Sequence, residues 1–590
     1  MRGSFVILFV FLYVICVAAV GDDRLQSDLC LDPVATCDST IDYFETKIIP
    51  EFLQEITLQY SNTYVSISIP SVSYNAVVVR CGCDPPSDLQ QGTHVIYTPA
   101  KPVYMYETPT IAFAAVSLDL VEKIAAIQTV KIVSSQAVRD AVDAGLVLES
   151  DPTYELFNGN GHGGLIDPEI IPVLPSMAFI GVFGSGAQGA APAFESQTES
   201  KIEYMPVAEP FESTPLGRAE WVKVVGLVLG VTEQANTVFS GIRSRYESTK
   251  QLVSGSTLRP SVATNGLFGS SWFFSGTNTY IGEYISDAGA VQNVDSDTNN
   301  PLTASEALER YSSARYWINY PSLSTDSVDD VLNEDPSDPK TYENMESAMC
   351  SRVSTNTRRL NPSGTGSDFF ESGIASPDVV LLDLVTVLHP EVPTSHSLVY
   401  YKELEPSLSL VCPNHLKDLS QEIPNGMNRA DLPFSVVGID RFVIESRALQ
   451  ILESVSNEFD DSVSLSVMNL LFRETVDDNA KITVRIQTST DVIKEVSRAV
   501  ESIRSAIESS LKTVSSNVTV NLDGSIEFTP DIESSSGLSG GAIAGIVIGS
   551  VIAVILIGVA VFLIIRNKTN SKIEKVDPAN VPTEEGAEVL

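Results

Sequence analysis

Apolar residues recur along this chain with two periods, and the switches between them divide it. Phe44, Ile48, Phe52 and Ile56 keep helical spacing and predict a helix within 41–59. Residues 64–69, 75–80 and 93–97 alternate or run apolar as strands do. From about residue 109 strand and helix alternate. The unbroken run 111–116 predicts a buried strand, 118–127 a helix, 130–134 a strand, and 137–144 a helix closed by Gly145. Residues 171–182 and 202–207 add two strands. This order predicts an α/β lobe with a mostly parallel sheet.

The strongest helical signal follows. Thr214 is placed to cap, Pro215 takes the first helical position, and Trp221, Val224, Val225, Val228 and Leu229 repeat at helical intervals. After Gly230, the stripe continues through Ala235, Val238, Phe239, Ile242 and Tyr246. Beyond Pro260 a second α/β lobe is predicted: strand 261–264, helices 280–288 and 305–311, strand 316–319, with 379–388 closing it. Two lobes joined by a long helix imply a clamshell with a cleft. From about 406 the order becomes strand 434–439, helix 446–459, strands 463–472 and 481–488, helix 491–514 and strand 518–528. That βαββαβ order predicts a small split α+β sandwich.

The ends set the compartment. Met1 and Arg2 precede an apolar run over 5–17, small residues Ala18 and Ala19, and then Asp22 and Asp23, as in a secretory signal peptide removed near residue 20. Residues 541–565 carry no charge and suffice to cross a bilayer as a helix. Arg566, Lys568, Lys572 and Lys575 follow, and no Lys or Arg stands between Lys512 and Arg566, so the tail is expected in the cytoplasm. The expected organisation is signal peptide 1–20, N-terminal extension 21–60, two-lobe domain 61–405, juxtamembrane domain 406–533, transmembrane helix 541–565 and cytoplasmic tail 566–590. The expectation is a single-pass type I plasma-membrane protein with its N-terminal part outside.

Composition narrows the partners. Lys+Arg number 37 against 75 Asp+Glu, a formal net charge of −38, which repels phosphate backbones and argues against nucleic acid. Outside the signal segment stand six cysteines, Cys30, Cys37, Cys81, Cys83, Cys350 and Cys412, an even number suited to disulfides, with fifteen formal connectivities. Cys81-Gly-Cys83 is too tight for easy self-pairing, so these two are expected to pair with Cys30 and Cys37. Asn517-Val-Thr519 is the exterior glycosylation sequon.

Three segments resemble the periplasmic substrate-binding protein family of the iron-siderophore and vitamin B12 class. Pro215-Leu-Gly-Arg-Ala-Glu-Trp-Val-Lys223 is similar to the opening of its inter-lobe helix. Ser271-Trp-Phe-Phe-Ser-Gly-Thr-Asn-Thr-Tyr280 with Ile285-Ser-Asp-Ala-Gly289 is similar to its second-lobe stretch. Ser367-Asp-Phe-Phe-Glu-Ser-Gly373, Pro377-Asp378, Asp383, His389-Pro-Glu391 and Leu398-Val-Tyr-Tyr-Lys402 resemble its closing segments. The resemblance covers about 61–405 and implies two rigid lobes holding one small ligand without large hinge motion. With the anchor and tail, the design resembles algal cell-surface siderophore-binding proteins. By topology alone, 434–529 resembles a SEA or ferredoxin-like domain.

The expected function is therefore a cell-surface receptor for a ferric siderophore of hydroxamate type, without catalysis and without a cofactor of its own. Cobalamin or haem as cargo, or an adhesive protein that has lost its ligand, are the alternatives. A ferric reductase or an endocytic route would take the iron onward. Trp272 and Phe273 in a Gly/Ser-rich turn, Phe183 on the first-lobe edge, and Phe369 and Phe370 are candidate aromatic contacts. Arg358 and Arg359 beside the Gly364-Thr-Gly366 loop are candidate anchors for ligand oxygens. Arg218, Glu220 and Trp221 read as structural. Asp295, Asp297, Asn299 and Glu306 imitate calcium-loop spacing, but Asn300 replaces the required Gly, and Thr303-Ala-Ser-Glu306 is more simply a capping box. No nucleophile–base pair, P-loop or HExxH stands in the sequence.

Overall fold

The structure, a computed structural model, describes residues 29–151, 170–181, 198, 202–256, 258–268, 271–293, 301–333, 342–410, 412, 427–459, 468–476, 479–489, 496 and 498–529. The expected signal peptide, membrane span and tail, Phe183, and the calcium-like positions 295–299 lie outside the described residues. Among the described residues no helix is long and apolar enough to cross a membrane. The chain forms two compact units. One runs to Lys417 and also takes Asp440–Ser446 and Phe472–Thr475; the remainder of 418–590 forms the other.

In the first unit β1 (Thr57–Tyr60), β2 (Tyr64–Ile69), β3 (Tyr74–Arg80) and β4 (His94–Thr98) pair in chain order, antiparallel except for the parallel β3–β4 pair. A second, wholly parallel sheet follows the order β7-β6-β5-β8-β9, from β5 (Val103–Met105), β6 (Ile124–Ile127), β7 (Leu148–Glu149), β8 (Met177–Gly181) and β9 (Glu203–Val207). Helix α1 (Gln136–Asp143) ends at Gly145, whose φ of 70° lets the chain turn.

The run 111–116 is not a strand. Thr108–Ala112 is helical and Phe113–Ser117 widens into a π turn, with Ile111 to Ala114 all buried. A helix enclosed on every side shows no polar stripe, so its run looks like a buried strand. Conversely 118–127 holds a short turn and then β6, and 130–134 is a 3-10 turn at Val130–Ile132.

The helix expected within 41–59 is absent: residues 31–56 form an irregular strap ending at β1. Its apolar Phe44, Ile48, Leu53 and Ile56 are buried in the first-lobe core. Pro50 interrupts the helical register. The backbone N–H groups beyond it find carboxylates instead of carbonyls. Glu51, Phe52 and Leu53 donate to Glu220 at 3.0, 2.6 and 3.0 Å. Gln54 and Glu55 donate to Glu212 at 3.0 and 3.2 Å. Disulfides Cys30–Cys81 and Cys37–Cys83 fasten the strap to the end of β3, and Cys350–Cys412 is the third.

Helix α2 (Pro215–Leu229) starts as the sequence suggests, Thr214 accepting from the Gly217 N–H at 3.0 Å, and stops at Gly230, φ 79°. All its residues are buried. It is not the bare rod between lobes that the clamshell picture implies: strap, first-lobe sheet and α3 (Thr232–Ser254) enclose it. Its charges are met internally, Lys223 Nζ lying 2.6 Å from Glu220 and 3.0 Å from Glu51, and Arg218 pairing with Glu209.

The second lobe has a parallel sheet, order β13-β10-β15, from β10 (Ser261–Thr264), β13 (Val291–Gln292) and β15 (Tyr316–Ile318). A small antiparallel sheet of β11 (Gly266–Phe268), β12 (Ser271–Phe273) and β14 (Leu302–Thr303) lies beside it. Helices α4 (Tyr280–Asp287) and α5 (Ala304–Tyr311) follow, the latter opened by the Thr303–Glu306 capping box. β16 (Ser354–Thr355) pairs with β17 (Lys402–Glu403), and α6 (Pro377–Leu388) packs along α3.

The second unit holds β18 (Met427–Val437), α7 (Ala448–Ser456), β19 (Met468–Val476) apart from Phe472–Thr475, β20 (Asn479–Ser489), α8 (Val500–Lys512), β21 (Thr519–Leu522) and β22 (Glu527–Thr529). Its sheet path is β19-β20-β18-β21, with β22 on β18. By chain order the path is 2-3-1-4, the arrangement of a split β-α-β unit. Phe434, Val436, Ile482, Val484, Ile503 and Ile507 fill its core. Asn517 is exposed in the turn before β21.

Candidate ligand-binding site

Two parallel strands of the second lobe end in asparagines with left-handed backbones, Asn265 after β10 (φ 59°) and Asn319 after β15 (φ 56°). Asparagine tolerates that region better than other side chains with a Cβ, so the chain reverses sharply at the carboxyl edge of the sheet. Indoles brace the reversals: Trp272 Nε1 donates to the Thr264 carbonyl at 2.9 Å and Trp317 Nε1 to the Asn265 carbonyl at 2.6 Å. Tyr401 Oη donates to Asn319 Oδ1 at 2.7 Å.

Thr279 caps α4 through the Gly282 N–H at 3.2 Å and so sets Tyr280 on the first turn. Gly282 is required there, because a Cβ would stand 2.4 Å from the Gly276 carbonyl oxygen. Opposite runs the segment 356–370, where Ser367 Oγ donates to the Asn356 carbonyl and accepts from the Phe369 N–H at 3.2 Å. Phe369 stands edge-on to Tyr401 and Phe370, with centroids 5.9 and 5.1 Å away.

Between these walls lies a cavity of about 510 Å³. One side is Asn265, Ser275, Thr279 to Ile281 and Asn319 to Leu323; the other is Asn356, Thr357, Thr365 to Ser367, Phe369 and Phe370. None of these residues is charged. Carboxamides, hydroxyls and aromatic faces make the wall, the mixture that orients a ligand in an otherwise apolar pocket.

Charge begins just behind. Arg218 lies over the Tyr280 ring, 4.2 Å from its centroid, and pairs with Glu209. Burial raises the Tyr280 phenol above its usual value, against the pull of Arg218. Glu107, after β5, is pushed up to about 8 by desolvation and by the charge of Glu209. The far wall is fastened to the first lobe: Ser134 and Ser135 N–H groups donate to Glu371 at 2.7 and 3.1 Å, and Ser363 Oγ donates to the Lys131 carbonyl at 2.6 Å. Burial holds the Glu371 carboxyl at about 7. Among the described residues no group of three or more His, Cys, Asp or Glu is placed to hold a metal ion.

Residues 184–337, which include one wall of the cavity, match the periplasmic binding protein family. That segment is similar to the family's model over about a quarter of the chain. An uncharacterized lipoprotein of Methanocaldococcus jannaschii is 24% identical over 199 residues, 33% of this chain and 44% of the relative, so the chain spans less than half of that relative's length. Among solved structures, a possible iron-binding periplasmic protein of Staphylococcus epidermidis has 13% identity over 49% of this chain and 98% of its own, TM-score 0.37. A periplasmic haem-binding protein of Pseudomonas aeruginosa has 14% identity over 52% and 99%, TM-score 0.37. The periplasmic vitamin B12 binding protein of Vibrio cholerae has 12% identity over 48% and 98%, TM-score 0.31.

Around the cavity the expected contacts separate. Phe369 and Phe370 line the cavity, Phe370 at its mouth with 51% exposure. Trp272 does not, which corrects the expectation from its Gly/Ser-rich turn. It is 0% exposed, stacked on Trp317 at 5.3 Å and packed against Tyr311 and Tyr342. β12 alternates, and turning Trp272 inward turns Phe273 outward, 42% exposed and off the cavity wall. Arg358 is exposed, and Arg359 is engaged by Asp368 at 3.1 Å and lies over Tyr400; neither lines the cavity. The polar side chains that do line the cavity include Asn265, Asn319, Asn356 and Thr357. Their one signal in the sequence is position, since ligands of open α/β sheets gather at the carboxyl ends of strands.

Proposed function

We propose that the periplasmic binding protein domain holds a ferric siderophore of hydroxamate type, as the ligand-binding part of a single-pass cell-surface receptor in iron uptake. The observation that carries this is the uncharged cavity of about 510 Å³, walled by carboxamides, hydroxyls and aromatic rings. A ferric trihydroxamate brings its metal already saturated, needs no protein ligand to iron, and presents amide oxygens on an apolar skeleton. Such a surface suits walls that supply hydrogen bonds without charge. Anchoring by residues 541–565, with 566–590 inside the cell, and onward transfer to a ferric reductase or by endocytosis belong to the same proposal.

The test is titration of the purified full-length chain with ferrichrome, ferrioxamine B, cobalamin and haemin, following tryptophan emission. Trp272 and Trp317 sit directly behind Asn265, so a ferric complex in the cavity should quench them saturably. Saturation by ferric hydroxamates is the expected result. Saturation by cobalamin or haemin alone would change the cargo, and no binding of any of the four would remove the receptor role and favour an adhesive protein.

A further inference from the structure

Three carboxamides meet the cavity from three separate segments, and their hydrogen-bonding capacity is not used up by the protein. Asn319 is 5% exposed, and with its Oδ1 held by Tyr401 its Nδ2 is buried without a partner. Asn356 is 8% exposed, and its carboxamide makes no hydrogen bond among the described residues. Asn265 spends one N–H on a long 3.4 Å contact with Ser275 Oγ. A buried amide group left unpaired is costly, and a ligand bearing a matching atom recovers that cost. The neighbouring hydroxyls are already engaged: Thr279 Oγ1 donates to the Gly276 carbonyl and Ser367 Oγ to the Asn356 carbonyl.

Charge is missing in the same place. A formal anion brought here would meet no cation on the described wall, inside a chain of net charge −38. The guanidinium behind Tyr280, Arg218, is spent on Glu209 and on the Tyr280 face.

We infer that Asn265, Asn319 and Asn356 are the specificity-determining contacts of the cavity and select an electrically neutral, carbonyl-rich chelate over an anionic one. The inference rests on the proposed siderophore role and adds to it a rule for which chelates are refused. Carboxamides both donate and accept, so they grip amide and hydroxamate oxygens, but they cannot neutralise a triply charged tricatecholate or the two carboxylates of haem.

The experiment compares the full-length chain binding ferrichrome (neutral), ferrioxamine B (one ammonium), ferric enterobactin (trianionic) and haemin. The neutral chelate should bind at least about tenfold more tightly than either anionic one. Asn356→Asp and Asn319→Asp keep the shape and add a negative charge, with thermal unfolding as the folding control. Each should weaken ferrichrome about tenfold while weakening ferrioxamine B less, a change of preference that loss of folded protein cannot produce. Asn356→Ala, which leaves no new charge, should weaken both to the same degree. Equal affinity for ferric enterobactin, or aspartate variants with unaltered preference, would overturn the inference while leaving the siderophore role standing. If no probe binds, the siderophore role itself fails.

Discussion

Removing the indole of Trp272 opens a hole between Trp317, Tyr311 and Tyr342 and frees the Thr264 carbonyl it holds. Trp272→Ala is therefore expected to cost about 3–5 kcal/mol of folding stability, read by chemical denaturation, whereas Trp272→Phe should leave more of the stability in place. Phe370 is the converse. Half exposed at the mouth of the cavity, it can lose its ring for about 0.5 kcal/mol of stability or less, yet Phe370→Ala should weaken ligand binding about tenfold. A titration in which Phe370→Ala bound normally would remove that residue from the site. The adjacent pair Phe369-Phe370 stood out in the sequence as aromatic. The opposite fates of Trp272 and Phe273 did not, because a three-residue strand shows its inward face only once Leu267 and Leu302 are known to flank the tryptophan. The asparagines carry no motif; only the strand ends give them meaning.

At the level of elements, helices with a threonine cap at the start were legible, and the short one at Thr108–Ala112, which has no side-chain cap, was not. The α2 and α5 starts were marked by Thr214 and Thr303, and the structure adds Thr279 at the start of α4; each accepts from a backbone N–H of the first turn. The helix at Thr108–Ala112 was hidden by complete burial, and the strap because its partners, Glu212 and Glu220, stand more than 150 positions along the chain. Two substitutions probe these placements. Gly282→Ala should push α4 away from the Gly276 loop, lowering both the melting temperature and ligand affinity, since Tyr280 rides on that helix. Glu220→Gln keeps the size but removes the charge that three consecutive N–H groups share, and should cost about 1–3 kcal/mol. Faster amide exchange at 51–53 would mark the strap as the part released; exchange unchanged there would contradict its anchoring.

For the folded first unit as a whole, acidity is the sensitive variable. Burial raises the carboxyls of Glu107 and Glu346 to about 8 and that of Glu371 to about 7, from an ordinary 4.5. Groups raised in the folded state contribute stability that is complete below about pH 4.5 and disappears as pH climbs through 7 and 8, where they must ionise in place. The protein should accordingly melt at a higher temperature near pH 5.5 than near pH 8.5, and Glu107→Gln should shrink that difference. Thermal scans at the two acidities decide it; a melting temperature that rises with pH would show that other groups dominate.

The strap also bears on how the protein has to be made. Glu220 of α2 and Glu212 just before it sit in the interior and take up the N–H groups of residues 51–55, and those residues are moored by Cys30–Cys81 and Cys37–Cys83. In a host whose cytosol keeps thiols reduced, the mooring lines are cut and both carboxylates lose the main-chain donors that the strap brings. Recombinant material from such a host should collect as insoluble protein, while secretion through an oxidising route should deliver it folded.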